Sequence, residues 1–400
     1  MVDVVRRIQS FNAGRDPERL RMKYRNIRSN PFVFLRGTCH LFYDLLPQDG
    51  LFRSAPLTWI CGDLHLENFG SYKGDNRLVY FDVNDFDEAA LAPASWDIVR
   101  FLTSVLVGAD GMSASRIEAQ TLGQSFLDAY ASALVLGKTR WVERDTAQGI
   151  VGELLEGLRD RPRSKFLDGR TQRKGRQRVL RVDGKKALPV SDKQRAGITA
   201  FMEKYAEEQP NPDFYKPLDV ARRIAGTGSL GVDRYVILIQ GKGSPDGNYL
   251  LDLKEALPSS LMPHLKVLQP KWKTEAHRVV ELQRRSQAVS MAFLQPVVVG
   301  KTSYVLRGLQ PAEDRITFDR LHHTMPELQH VMSTMGSIVA WDQLRSAGRQ
   351  GSAIADELIA FGQSRKWEKQ LLSLSQDCAA QVHKDWQIYS DAYDDGVFKV

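Results

Sequence analysis

The stretch 59-WICGDLHLENFGSYKGDNRLVYFDVNDFDEAALAPASWDIVRF-101 decides how the rest of the chain is read. It carries six aspartates and two glutamates, most of them beside apolar or aromatic residues and not in a solvated run. The run 57-LTWIC-61 reads as a short buried strand leading into Gly62-Asp63. A hairpin-like pair follows, with 73-KGDN-76 as its turn and 77-RLVYFDV-83 as its second strand. From Ser95 the spacing becomes helical over 95-SWDIVRFLTSVLVGA-109, with Ser95 the expected N-cap. Acids therefore stand at the ends of buried strands, where a charge is costly unless it is paired or meets a cation.

Phosphoryl transfer explains that placement. In 62-GDLHLENFG-70, Asp63 and Asn68 are five apart, the spacing of the kinase catalytic loop H-R-D-x-x-x-x-N. A carboxylate there orients or accepts the proton of an attacking hydroxyl, while an amide oxygen a few residues on holds a magnesium ion at the phosphates. The segment 81-FDVNDFDEA-89 then ends a strand with three aspartates, a place for a hard oxygen ligand to magnesium. Asp85-Phe86 fits the start of a kinase D-F-G, with Asp87 where the glycine would be; Asp82 and Asp87 remain second ligands or structural partners. His65 is expected to be packed or hydrogen-bonded and not a ligand. A metallophosphoesterase, suggested by Gly-Asp-x-His at 62–65, needs further histidines in a Gly-Asn-His setting, and the eight histidines offer none.

A phosphotransferase also needs a cradle for ATP. The segment 226-GTGSLG-231 reproduces G-x-G-x-x-G, so Gly226, Gly228, Ser229 and Gly231 are the expected nucleotide-binding positions. A dinucleotide-binding fold uses the same pattern but turns into a helix. Here 232-VDRYVILIQ-240 is β-rich, so the loop is expected to join two strands. The strand 250-LLDLKEA-256 brings Lys254 to the nucleotide, and the helix over 274-TEAHRVVELQRRSQAVS-290 offers Glu281, or Glu275, as its ionic partner. The order is inverted relative to an ordinary kinase, because Asp63 precedes Gly226. A circular permutation accommodates this, since domain termini often lie close together at the surface; the long helix expected near 327–348 would then lead into the catalytic loop.

Length and composition set the outer bounds. Four hundred residues at 42% hydrophobic content suit two lobes. The net charge of +7 is compatible with an anionic small molecule and makes nucleic acid an unlikely partner. Three scattered cysteines give no disulfide framework or zinc site, no apolar run is long enough to span a bilayer, and the N-terminus lacks a signal-peptide pattern. A cytoplasmic protein is expected. Residues 159–186 hold twelve Lys or Arg against three Asp, read as a solvated insert in preference to a phosphate-attracting flap, with a hairpin on Asp183-Gly184. The expected segments are an N-terminal helical part (1–58), a catalytic-loop part (59–140), a helical region with the basic hairpin (141–220), a β-rich nucleotide lobe (221–320) and a helical remainder (321–400).

The motifs PFVFLRG, CGDLHLENFG, FDVNDFDEA, SWDIVRFLTS, GTGSLG, LDLKEA and HRVVELQRRSQAVS resemble the bacterial family catalogued as domain of unknown function 2252 over most of the chain. That family in turn resembles the protein-kinase-like superfamily, near aminoglycoside and choline phosphotransferases. The resemblance implies an α+β, two-lobed, circularly permuted kinase-like fold, with a small antiparallel β lobe and a larger helical lobe. It implies Asp63 as catalytic base, Asn68 and Asp85 as magnesium ligands, Lys254 and the 226–231 loop as ATP binders, and Asp97 as support for the catalytic loop. The twelve-residue step from Asp85 to Asp97 selects Asp85 over Asp82. Cys61-Gly62 replaces the His-Arg of a kinase loop. The expected activity is ATP- and Mg2+-dependent phosphate transfer to a hydroxyl of an unidentified small molecule; the alternatives are a catalytically silent nucleotide-binding regulator and an AMP-transferring enzyme.

Overall fold

The computed structural model describes residues 2–47, 50–159, 161–310 and 316–399. Asp160 of the basic run and residues 311–315 of the expected β-rich segment lie outside them. The fold is α+β. Four helices open the chain, Val4–Phe11, Pro17–Arg28, Pro31–Gly37 and Cys39–Leu45. Asp3, Asp16 and Asn30 cap the first three through side-chain oxygens, and proline starts the second and third where its missing N–H costs nothing.

The acid-rich stretch folds into two small antiparallel pairs. Phe69–Lys73 pairs with Val79–Val83, as the hairpin pattern predicts. Leu57–Ile60 pairs with Ala90–Pro93, with Ile60 opposite Ala90. This last strand was not foreseen: its four residues are all buried and show no alternation. Its effect is to return the end of the stretch beside its start, so that Asp63 and the 85–88 segment face each other. The helix that follows, Ser95–Val107, begins with Ala94 and not Ser95 in the cap position and has no side-chain cap bond. Nearly every residue of it is buried, so its polar residues must find partners inside the protein.

The large helical core is completed by Arg116–Leu136, Met325–Arg345 and Glu368–Asp394. The stretch 353–393, read as helical throughout, is two helices, Ala355–Ser364 and Glu368–Asp394, because Arg365 between them takes a left-handed φ of 46°. Among the described residues no helix is long and apolar enough to cross a membrane.

Six strands form the second layer, in the order Gln295–Val299, Thr302–Gly308, Tyr249–Glu255, Arg234–Ile239, Pro217–Arg223, Ala187–Leu188, and every neighbouring pair is antiparallel. Arg234–Ile239 is buried on both faces. Tyr235, Ile237 and Ile239 pack with Ile198 and Met202 of the Asp192–Glu207 helix, while Val236 and Leu238 pack with Leu167 and Leu180 on the other side. That is the two-residue alternation of a strand between two apolar layers. The loop after Pro217–Arg223 does join two strands, as its β-rich sequel predicts.

The basic segment differs from expectation in one respect. Its hairpin is Thr171–Lys174 with Gln177–Leu180, turning at Gly175, while Ala187–Leu188 joins the large sheet. At the expected turn, Asp183 Oδ1 instead accepts the N–H groups of Lys185, Lys186 and Ala187 and folds the chain into a tight loop. The hairpin is anchored by Arg178, whose fully buried guanidinium bonds Asp168, Asp246 and the Pro245 carbonyl.

Candidate functional site

A cleft of about 350 Å³ lies between the acid-rich stretch and the six-stranded sheet. Asp63, Asn68 and Asp85 line it from one side, and Gly226, Gly228, Ser229 and Lys254 from the other. No residue of the basic hairpin lines it among the described residues. Lys254 Nζ bonds Asp87 and stands 3.7 Å from Asp85 Oδ1, so segments some 170 positions apart in sequence meet here.

The helix Ser95–Val107 holds the loop that carries Asp63. Asp97 accepts the N–H of Cys61 at 2.9 Å and of Gly62 at 3.0 Å. One turn on, the fully buried Arg100 donates twice to a single oxygen, Oδ1 of Asp63, at 3.0 and 2.5 Å. Ser104 Oγ, one further turn along, accepts the Leu66 N–H. Positions i, i+3 and i+7 share one helix face, so a single rigid element braces the whole loop. Gly62 has to be glycine: its φ is +81°, and a Cβ would lie 2.4 Å from the Glu88 carbonyl oxygen. The Glu88 backbone packs directly on Gly62 and leaves no room for a side chain there.

Asn68 stitches the two acid segments. Its amide nitrogen donates to the carbonyls of Asp63 and Asp85, and its oxygen accepts the Asp85 N–H at 2.9 Å. One lone pair of that oxygen is thereby used and one is left. Asp82 does not face the cleft; it is buried near Arg345 and Asp342. His65 is buried and stands edge-on to Phe32.

A family model described as an uncharacterized protein conserved in bacteria, DUF2252, matches residues 15–392, which includes every cleft segment named above. The chain belongs to the DUF2252 family. No match is found among curated proteins or among solved structures.

In this DUF2252 protein Lys254 does not pair with Glu281. Glu281 is 41% exposed, sits 3.6 Å from Arg284 and does not line the cleft. The helix Glu275–Ser286 turns Ala276, Val279, Val280 and Gln283 inward, and Glu281 falls off that face. Glu275 pairs with Arg278. The inward cation Arg278, which the sequence reading missed, donates to the carbonyls of Asp87, Ala89 and Leu257 at 2.7–2.9 Å and so fixes the acidic segment to the sheet.

Desolvation by the cleft walls would raise the half-exposed Asp85 carboxyl, but Lys254, then Arg307 and Arg234, hold it below the usual range. Asp87 goes the other way, pushed up by burial and by Asp85 beside it. Among the described residues there is no group of three His, Cys, Asp or Glu shaped to enclose a metal. Magnesium needs less, because one or two carboxylates suffice when phosphates and water complete its shell. The donors here are hard oxygens of the kind a magnesium ion takes together with phosphates.

The Gly-rich segment is fixed from outside. Arg15 and Lys23 donate to the Gly228 carbonyl, Arg19 donates to that of Val232, and the Asp16 N–H meets that of Gly231. Gly231 does not line the cleft; with φ +91° it lies against the Arg15 side chain, 2.8 Å from where its Cβ would stand.

Proposed function

We propose that this DUF2252 protein is an ATP- and Mg2+-dependent phosphotransferase acting on a hydroxyl of a small molecule, on a circularly permuted kinase-like frame. The observation that carries the reading is the convergence of Asp63, Asn68, Asp85, Lys254 and the 226–229 backbone on one cleft. Each motif alone is common; their meeting across so much sequence is not expected of unrelated turns and surface charges. The sheet adds support: the Gly-rich segment links two antiparallel strands, Lys254 stands on the next, and a helix precedes the last two.

On this reading the nucleotide phosphates lie between the 226–229 backbone and Lys254, whose ammonium offsets their charge. Magnesium, when bound, supplies further neutralisation of the phosphate oxygens, with Asp85 and the remaining lone pair of Asn68 as its protein ligands. Arg100 fixes Asp63 through Oδ1, and Oδ2 forms no hydrogen bond within the described residues. Oδ2 is thus the oxygen that takes the proton of the acceptor hydroxyl. The hydroxyl oxygen bonds to the γ-phosphorus, the bond from that phosphorus to the bridging oxygen breaks, and ADP leaves.

Thermal unfolding with ATP, with and without Mg2+, tests the reading before any acceptor is known. ATP with Mg2+ raises the Tm of the wild type, and Lys254→Met and Asp85→Ala each remove most of that rise. A wild type indifferent to ATP in both conditions would sink the proposal.

A further inference from the structure

Most cations around the cleft contact a carboxylate, three of them sharing one; among the described residues Arg15 and Lys23 contact none. Arg223, Arg234 and Arg307 converge on Asp252, Arg36 meets Glu67, Arg100 meets Asp63, and Lys254 meets Asp87. Arg15 and Lys23 have no carboxylate within ion-pair distance among the described residues. Lys23 is fully buried, and its ammonium has the Gly228 carbonyl at 2.9 Å and the Phe11 ring at 5.8 Å. Arg15 bonds the carbonyls of Gly228 and Leu230, also lies over Phe11, and forms part of the cleft wall with Cys39 and Asp63. A half-buried guanidinium beside a fully buried ammonium, both in contact only with carbonyls and a ring, draws its countercharge from Glu88 at longer range than an ion pair. Burial pushes the Arg15 guanidinium down to about 10, and burial with the Arg15 charge pushes Lys23 well below its ordinary value.

The position of the pair relative to the loop would make an anion bound there a second one. In a trans peptide the C=O and the following N–H point in opposite directions. Arg15 and Lys23 hold the Gly228 carbonyl, so they stand across the backbone from the side to which the Ser229 N–H points. On the phosphotransferase reading, phosphates held by the Ser229 N–H and by Lys254 would lie on the far side. The near side is the wall shared by Phe11, Arg15, Cys39 and Asp63, where an acceptor must place its hydroxyl.

We propose that Arg15, with the buried Lys23 behind it, forms an oxyanion site in front of the Gly-rich segment, and that the acceptor is a hydroxyl compound carrying a phosphate or carboxylate group. The oxyanion site stands on its own geometry, whereas its assignment to an acceptor rests on the phosphotransferase reading. Guanidinium and ammonium suit such an oxyanion by charge-assisted hydrogen bonds. A cationic acceptor, by contrast, would meet two more positive charges.

The test uses inorganic phosphate as the probe, with sodium chloride at equal ionic strength as the control. The wild-type Tm should rise saturably by about 2 °C beyond the chloride effect. Arg15→Gln should lose most of that rise, and Arg15→Lys should keep most of it. No rise beyond chloride, or an undiminished rise in Arg15→Gln, overturns the site; this variant decides the matter even where Lys23→Met fails to fold. Repeating the titration on protein saturated with Mg2+ and a non-hydrolysable ATP analogue separates the sources. A persisting phosphate response supports the acceptor assignment, and its disappearance overturns it in favour of the nucleotide's terminal phosphate. If ATP has no effect while phosphate does, the phosphotransferase reading falls and the oxyanion site remains.

Discussion

Asp63 is secured through one oxygen only, and that asymmetry separates its two tasks. Oδ1 neutralises the buried Arg100, and Oδ2 is left for a substrate proton. Asp63→Ala should therefore fail twice. Transfer should fall by at least about 10²-fold, as for loss of a general base. Stability should also fall, by about 2–4 kcal/mol, less than a fully buried pair would give because Asp63 is 22% exposed. Urea denaturation of Asp63→Ala and of Asp63→Ala with Arg100→Met separates these effects. The double variant should regain part of the stability and none of the turnover; equal stability of the two would show that Arg100 does not depend on Asp63. At this scale the meeting of Asp63, Asn68, Asp85 and Lys254 in one cleft was legible because their residue types and spacings match a phosphotransfer pattern. Arg100 was not, since one arginine in 95-SWDIVRFLTSVLV-107 carries no spacing signal of its own. The available clue was its place on a helix otherwise too apolar for an unpaired charge.

At the scale of elements, the helix Ser95–Val107 acts as a brace, and its first contact is titratable. Burial pushes the Asp97 carboxyl up to about 6, against the opposing pull of the Cys61 and Gly62 N–H groups. In the unfolded chain the same group titrates near 3.9. Between these values the folded protein holds the proton more tightly than the unfolded chain, so the contribution of Asp97 to stability declines as pH rises from about 4 to about 6 and is level above that. Asp97→Asn removes this dependence. The stability difference, wild type minus variant, should thus be larger at pH 4.5 than at pH 7, by up to a few kcal/mol. Equal differences at the two pH values would mean that Asp97 stays ionised throughout. The brace was half legible. Asp97 emerged through its distance from Asp85, whereas Ser104 stood unnoticed among apolar residues, and Ala90–Pro93 was missed because four buried residues have no period to detect.

At the scale of the whole molecule, the two layers must stay in register for residues so far apart in sequence to line one cleft. The motifs foretold a shared cleft but not its fastening. Glu281 was chosen by analogy with an ion pair, yet the apolar period of its helix points it outward, and the inward cation is Arg278. Its guanidinium ties the carbonyls of Asp87 and Ala89 to that of Leu257, so one side chain bonds both the acid-rich stretch and the segment that follows Lys254. Arg278 does not line the cleft, so any effect on nucleotide must pass through the position of Asp85 and Asp87 relative to Lys254. Arg278→Ala should lower stability by about 1–3 kcal/mol, because the buried Ala89 carbonyl and the partly buried carbonyls of Asp87 and Leu257 lose a charged donor. It should also weaken Mg2+-ATP binding by about tenfold at a temperature where the variant is fully folded, and Arg278→Lys should fall between, since an ammonium cannot span all three acceptors. Calorimetric titration well below the Tm distinguishes the two roles: weakened affinity in folded protein marks Arg278 as the residue that aligns the layers, and unchanged affinity with a lowered Tm would make it a structural tie with no bearing on the nucleotide.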